Sequence, residues 1–220
     1  MKKISILLCC FAYITLANAQ EKPRFWDDVQ TIKKYDKMYA PPANPILFIG
    51  SSSIRKWDDL ERTFAPYVVM NRGIGGAVTN DITYYLNDIV FPYNPRQIFI
   101  FVGENDLPDS ATNGDSIFAR TKVLLNSIRE KLPEVPIGYI SLKPSPVRDQ
   151  FRPKAIRANA LIKEWVATQK NVTFIDIFTP MMKDGNSRPE LFVKDMLHMN
   201  SLGYAIWRAA VEPLLLKPAK

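Results

Sequence analysis

The chain holds one histidine, His198, and an aspartate stands three residues before it in the stretch Asp195-Met196-Leu197-His198. An imidazole serves as a base only when one tautomer is held, and a carboxylate accepting from its far nitrogen does that while stabilising the imidazolium. The group such a pair would serve is a hydroxyl, a poor nucleophile until a neighbouring base takes its proton. Three consecutive serines, Ser51, Ser52 and Ser53, follow Gly50 and supply the hydroxyl. Two further clusters mix glycine with polar groups: Asn71-Arg72-Gly73-Ile74-Gly75-Gly76 and Gly103-Glu104-Asn105-Asp106. Each of the four has an ordinary structural explanation by itself, since glycine supplies positive φ and Asn, Asp and Ser bond their own backbone in turns.

Their places along the chain argue for more than turns. Short runs rich in Ile, Val and Phe at residues 46–49, 68–70, 97–102, 137–142 and 172–177 read as buried strands. Residues 81–90, 116–132, 154–169 and 201–216 carry apolar residues at spacings of three and four and read as helices, the last kinked or shortened by Pro213. Strand and helix alternating in this way predict an α/β fold, a parallel sheet with right-handed crossovers and both faces covered. Ligands of such sheets bind beyond the carboxyl ends of the strands. The four clusters follow the first, second, third and, at some distance, the fifth predicted strand, so all fall at that edge.

With those residues in view, the chain resembles the SGNH hydrolases, also called GDSL esterases. The family's blocks correspond here to "FIGSSSI", "NRGIGG", "GEND" and "DMLH", in the same order and spread over residues 50–198. Ser51 stands where the family's Gly-Asp-Ser motif has aspartate. The resemblance implies a three-layer α/β/α, flavodoxin-like sandwich with a central parallel sheet of about five strands. It implies ester hydrolysis with Ser52 as nucleophile, His198 as base and Asp195 as the residue orienting it. The oxyanion would be met by the Ser52 and Gly76 backbone N–H groups and the Asn105 side chain. A loop running into a helix N-terminus suits Ser52, because the N–H groups and dipole there favour developing negative charge. Asp106 is expected to brace its loop, and Asn200 to cap the last helix.

Other chemistries fit less well. An α/β-hydrolase elbow would read G-x-S-x-G, but Ile54 occupies the final glycine position. Asp195, His198 and Asp106 make a thin ligand set for a transition metal, so neither metal nor cofactor is expected. A phosphate or flavin site at Gly50-Ser51-Ser52-Ser53 would leave the Asp195/His198 pair unexplained. A glycan-binding protein with a dead site requires serine and histidine to lie too far apart to react.

The first 19 residues read as a secretory leader: Lys2-Lys3, an apolar run over 4–16, then Ala17-Asn18-Ala19 before a cut ahead of Gln20. The run is short of the roughly 20 apolar residues a spanning helix requires. Residues 20–220 are then expected to be one hydrolase domain, exported to the periplasm or beyond, with no integral membrane association. Both cysteines, Cys9 and Cys10, lie in the leader, so no disulfide or thiolate site is expected afterwards. Formal charge is +7, or +5 without Lys2 and Lys3, and the basic residues are scattered, which argues against nucleic acid. Of substrates, short acyl and in particular acetyl esters are expected, since no lid insertion or long apolar stretch adjoins the motifs. Export and the nearness of Trp57 and Trp207 to the blocks favour a carbohydrate ester. A lysophospholipase or platelet-activating-factor-type acetylhydrolase is the alternative.

Overall fold

The computed structural model describes residues 21–217; the leader, its cysteines and the predicted cut before Gln20 lie outside them. A helix, α1 (Trp26–Met38), precedes the first strand, β1 (Ile46–Gly50). Two short helices, α2 (Ser52–Arg55) and α3 (Leu60–Thr63), lead to β2 (Val69–Gly73). The helices α4 (Thr79–Tyr84) and α5 (Leu86–Ile89) lead to β3 (Gln97–Phe101), and α6 (Gly114–Lys131) to β4 (Ile137–Ile140). The helix α7 (Arg152–Val166), β5 (Val172–Ile175), a small hairpin of β6 (Met182–Lys183) and β7 (Asn186–Ser187), and α8 (Ser201–Val211) complete the order.

The five main strands pair in parallel in the order β2-β1-β3-β4-β5. That is the flavodoxin-like order, and its switch point lies where β1 is flanked by β2 on one side and β3 on the other. Alternation along each strand separates two cores. Leu47 and Ile49 of β1 and Ile98 and Ile100 of β3 pack with α4, α5, α6 and α7, while Ile46, Phe48, Phe99 and Phe101 pack with α2, α3 and α8. The result is three layers, α/β/α. Helix α6 buries Ile117, Thr121, Leu124, Leu125 and Ile128 along one stripe, and Asn113 caps it by accepting from Ser116 N at 2.8 Å. Burial of this kind stabilises by ~1.5–3 kcal/mol per large apolar side chain.

Several boundaries differ from the sequence expectation. Val68 sits at φ 50 and cannot begin β2, which instead runs on to Gly73. The expected helix over 81–90 is two pieces broken at Tyr85. Strand β4 ends at Ile140 and β5 at Ile175, and beyond the ladder Ser141 Oγ, instead of a backbone carbonyl, accepts from the N–H groups of Ile177 and Phe178 and holds the two connections together. Helix α8 ends at Val211, and Glu212–Leu214 tightens into a 3₁₀ turn around Pro213. Trp57 and Trp207, offered above as support for a sugar ester, are buried at 1% and 0% exposure and meet edge to face 6.0 Å apart. They are core residues and give no sugar platform.

Candidate active site

The carboxyl end of β1 positions the serine. Gly50 has φ 137, and a Cβ there would lie 1.9 Å from the Phe101 carbonyl oxygen on the neighbouring strand. Only glycine permits the turn, and the same carbonyl accepts from Ser51 N at 2.9 Å. The chain then enters α2 at Ser52. Ser51 and Ser53 are buried, whereas Ser52 is half-buried at the helix start. Of three adjacent hydroxyls, therefore, one faces outward.

That hydroxyl meets His198. Ser52 Oγ lies 3.1 Å from His198 Nε2, and His198 Nδ1 lies 2.6 Å from Asp195 Oδ2. A carboxylate can only accept, so Nδ1 carries the hydrogen and Nε2 presents its lone pair to the serine. Asp195 is held in turn by its own loop, for its Oδ1 accepts from the backbone N–H of Leu197 at 2.9 Å and of His198 at 2.8 Å. Burial alone would raise the Asp195 carboxyl, but the hydrogen bonds from the His198 ring and these two N–H groups outweigh it and hold the group well below the usual carboxylate range. It is charged throughout the neutral range.

The Asp195/His198 loop is anchored by Asn200. Its Oδ1 accepts from Leu202 N at 2.9 Å and Gly203 N at 3.3 Å, capping α8, and its Nδ2 donates to the carbonyls of Glu190 at 2.9 Å and Phe192 at 3.2 Å. Asn200→Ala is expected to lose the cap and both loop bonds, costing about 1–2 kcal/mol. At roughly 2–4 °C per kcal/mol in a domain of this size, the unfolding midpoint should fall by several degrees in a calorimetric scan. An unchanged midpoint would show that the loop holds itself.

The remaining two predicted residues lie on loops that are joined to each other. Asn105, in a 3₁₀ turn after β3, donates from Nδ2 to the Ala77 carbonyl at 3.0 Å, beside Gly76 with its φ of 82. The Gly76 loop is tied to the serine loop, since Ile74 N donates to the Gly50 carbonyl at 2.8 Å. Asp106 is buried and braces these loops: its Oδ2 accepts from Thr79 N at 3.0 Å and its Oδ1 from Arg120 at 2.7 Å. With its oxygens so committed, it does not extend the Asp195/His198 pair as a ligand set. Seryl oxygen, imidazole and carboxylate thus form a continuous hydrogen-bonded row at the switch point, with a serine whose proton the ring can take. Such a row has the parts that acyl transfer requires.

A model of the GDSL-like Lipase/Acylhydrolase family matches residues 49–206, from the end of β1 into α8. The chain belongs to the GDSL-like lipase/acylhydrolase family. As a member of this family the protein is a carboxylic ester hydrolase. It is similar to the platelet-activating factor acetylhydrolase IB subunit alpha1 of Pongo abelii, with 25% identity over 177 residues that cover 78% of this chain and 75% of the relative. Its fold resembles that of a GDSL-like lipase from Bacteroides thetaiotaomicron, with a TM-score of 0.71 and 18% identity over 86% of this chain and 97% of that one. It also resembles that of a carbohydrate esterase family 3 protein from Talaromyces cellulolyticus, with a TM-score of 0.63 and 19% identity over 79% and 96% of the two chains.

Around this candidate site the structure adds residues that the sequence reading did not single out. Phe25, ahead of α1, puts its ring 3.8 Å from where a Gly76 Cβ would stand, and the Arg24 guanidinium stacks on it 4.7 Å from the ring centre. Glu104, Lys143 and Ser145 form a buried polar cluster behind Asn105, and Arg148 bonds Asn105 itself. Phe25 had no periodic neighbour to mark it. Lys143-Pro144-Ser145-Pro146 reads as a proline-rich connection until the fold brings Glu104 to it.

Proposed function

We propose that the protein hydrolyses short-chain acyl esters, acetyl esters foremost, with Ser52 as nucleophile, His198 as general base and then acid, and Asp195 as the group that orients the imidazole. The observation that carries this reading is the 3.1 Å contact between the one outward-facing serine and a ring nitrogen whose tautomer Asp195 dictates. Ser52 Oγ attacks the ester carbonyl as its proton passes to His198 Nε2. The tetrahedral oxyanion takes hydrogen bonds from the Ser52 and Gly76 N–H groups and the Asn105 amide. The carbon–oxygen bond to the leaving alcohol then breaks, and the alcohol departs with the proton from Nε2. Water repeats the sequence on the acyl-enzyme, returning the carboxylic acid and free Ser52.

For the substrate, the proposal is an acetylated carbohydrate. The leader pattern at residues 1–19 supports it by pointing to an exported enzyme that meets polymeric glycans. The fold likeness to a carbohydrate esterase is compatible with this choice. A second reading, an acetylhydrolase of the platelet-activating-factor type, is favoured by the relative from Pongo abelii. Both share the acetyl group. A series of p-nitrophenyl esters tests that shared element: kcat/KM for the acetate should exceed that for the butyrate by about tenfold or more, the scale of discrimination one or two methylenes give in a fitted pocket. An octanoate hydrolysed as fast as the acetate would end the short-acyl reading. Acetylated xylan and an acetylated glycerophospholipid, compared at equal ester concentration, then separate the two leaving groups.

A further inference from the structure

Arg148 lies in the 3₁₀ turn Pro146–Phe151 and reaches the loop after β3 with both terminal nitrogens. Its Nη2 donates to Asn105 Oδ1 at 2.8 Å and its Nη1 to the Glu104 carbonyl at 2.5 Å. A guanidinium has donors only, so the amide atom that faces it must be oxygen. The Ala77 carbonyl on the other side can only accept, so the amide atom that faces it must be nitrogen. The two neighbours impose one orientation on Asn105. One Nδ2 hydrogen is spent on Ala77, and the other has no partner among the described residues.

The support behind Arg148 is rigid and buried. Glu104 takes the Lys143 ammonium on Oε2 and the Ser145 hydroxyl on Oε1, and Lys143 also donates to Ser145 Oγ at 3.0 Å. Glu104, Lys143 and Ser145 are each no more than 3% exposed. Arg148 N donates to the Ser145 carbonyl at 2.8 Å, and Val147 N to the Met196 carbonyl at 3.2 Å, inside the Asp195/His198 loop. One short turn therefore reaches both the amide that would receive the oxyanion and the loop that holds the base.

We propose that Arg148 is a positioning residue for ester hydrolysis: it fixes the Asn105 amide so that the spare N–H is aimed at the developing oxyanion. The inference rests on the reading of Ser52 and Asn105 given above. Arg148 touches no reacting atom. Without it the Ala77 carbonyl alone opposes rotation about the terminal amide torsion, which is broad and nearly two-fold, and the amide spends more of its time with oxygen toward the oxyanion, replacing attraction by repulsion.

The test compares Arg148→Ala, Arg148→Lys, Asn105→Ala and the double variant Arg148→Ala/Asn105→Ala on p-nitrophenyl acetate, with phosphonate labelling of Ser52 and thermal midpoints measured on each. Loss of one oxyanion donor costs about 10²–10³ in turnover, so Asn105→Ala should fall in that range and Arg148→Ala should approach it, with KM little changed and Ser52 still labelled. The double variant should be no slower than Asn105→Ala, because the two act through one hydrogen bond. Arg148→Lys keeps a charge against Glu104 and so preserves the fold, yet it lacks the fork and should also be slow. Added guanidinium should speed Arg148→Ala but not the double variant. Losses that multiply in the double variant, or Arg148→Lys and Arg148→Ala at the parental rate while Asn105→Ala is slow, would overturn the proposal alone. Asn105→Ala at the parental rate would overturn the oxyanion assignment and this proposal with it.

Discussion

Ser52→Ala is expected to abolish ester turnover, a loss of about 10⁶-fold in kcat, and to remove labelling by a serine-directed phosphonate. His198→Ala should cost a similar factor, and the pair combined should be no worse than either, since nucleophile and base act as one unit. Ser51→Ala and Ser53→Ala make the control. Their hydroxyls are buried on either side of Ser52, so a dead Ser52 variant beside two active neighbours would single out the half-buried residue 3.1 Å from the imidazole. Circular dichroism and thermal midpoints would show that the fold survives, as removing one half-buried hydroxyl leaves the β1 turn and its Gly50 intact. If Ser51→Ala were the inactive variant, the row of contacts seen here would not be the reacting one.

The layers of the fold were legible because the strands are continuous apolar runs. Residues 46–50 and 97–101 are buried at every position, and a parallel sheet covered on both faces demands such runs. The resemblance implied a flavodoxin-like sandwich with about five parallel strands, and five are observed, in the order β2-β1-β3-β4-β5. Helix α1 was not among the helices read from the sequence. Trp26, Val29, Ile32, Tyr35 and Met38 recur every three residues along it, yet Val29 is its one fully buried residue, and polar contacts, Arg72 to Asp36 at 2.5 Å and Lys33 to Asp88 at 2.8 Å, help to hold the helix.

At the site, the candidate reacting groups and the supports Asp195, Asp106 and Asn200 were visible, whereas Arg148 and the cluster of Glu104, Lys143 and Ser145 were not. His198, Asp195 and the serine cluster are recognisable by type and spacing, because an imidazole base needs a carboxylate and a hydroxyl whatever the fold. Which serine faces outward depends on the Gly50 turn against Phe101, a contact between strands 51 residues apart in sequence. The orientation of Asn105 depends on Arg148, 43 residues further along. Trp57 and Trp207 illustrate the same limit in reverse, since nearness to motifs in sequence did not distinguish a core ring from an exposed one.

Asp195→Asn should lower turnover by about 10⁴-fold with little change in KM. The asparagine oxygen can still accept from Leu197 N and His198 N, so the turn through Met196, at φ 55, should persist. What changes is the group facing His198 Nδ1. An amide NH₂ there can only donate, so Nδ1 must offer its lone pair and the ring hydrogen moves to Nε2, where it points at Ser52 Oγ and cannot take the serine proton. The stability of the variant supplies a second reading of the same carboxylate. A carboxyl held below its unfolded value, near 3.9, contributes stability that is fully present above that value and is lost as pH falls through the folded one. Parent and variant should therefore differ most in thermal midpoint at neutral pH and converge in strong acid, while the difference in turnover persists wherever the parent is active. A variant slow only through a raised KM, or one as fast as the parent, would reduce Asp195 to a residue that closes the turn.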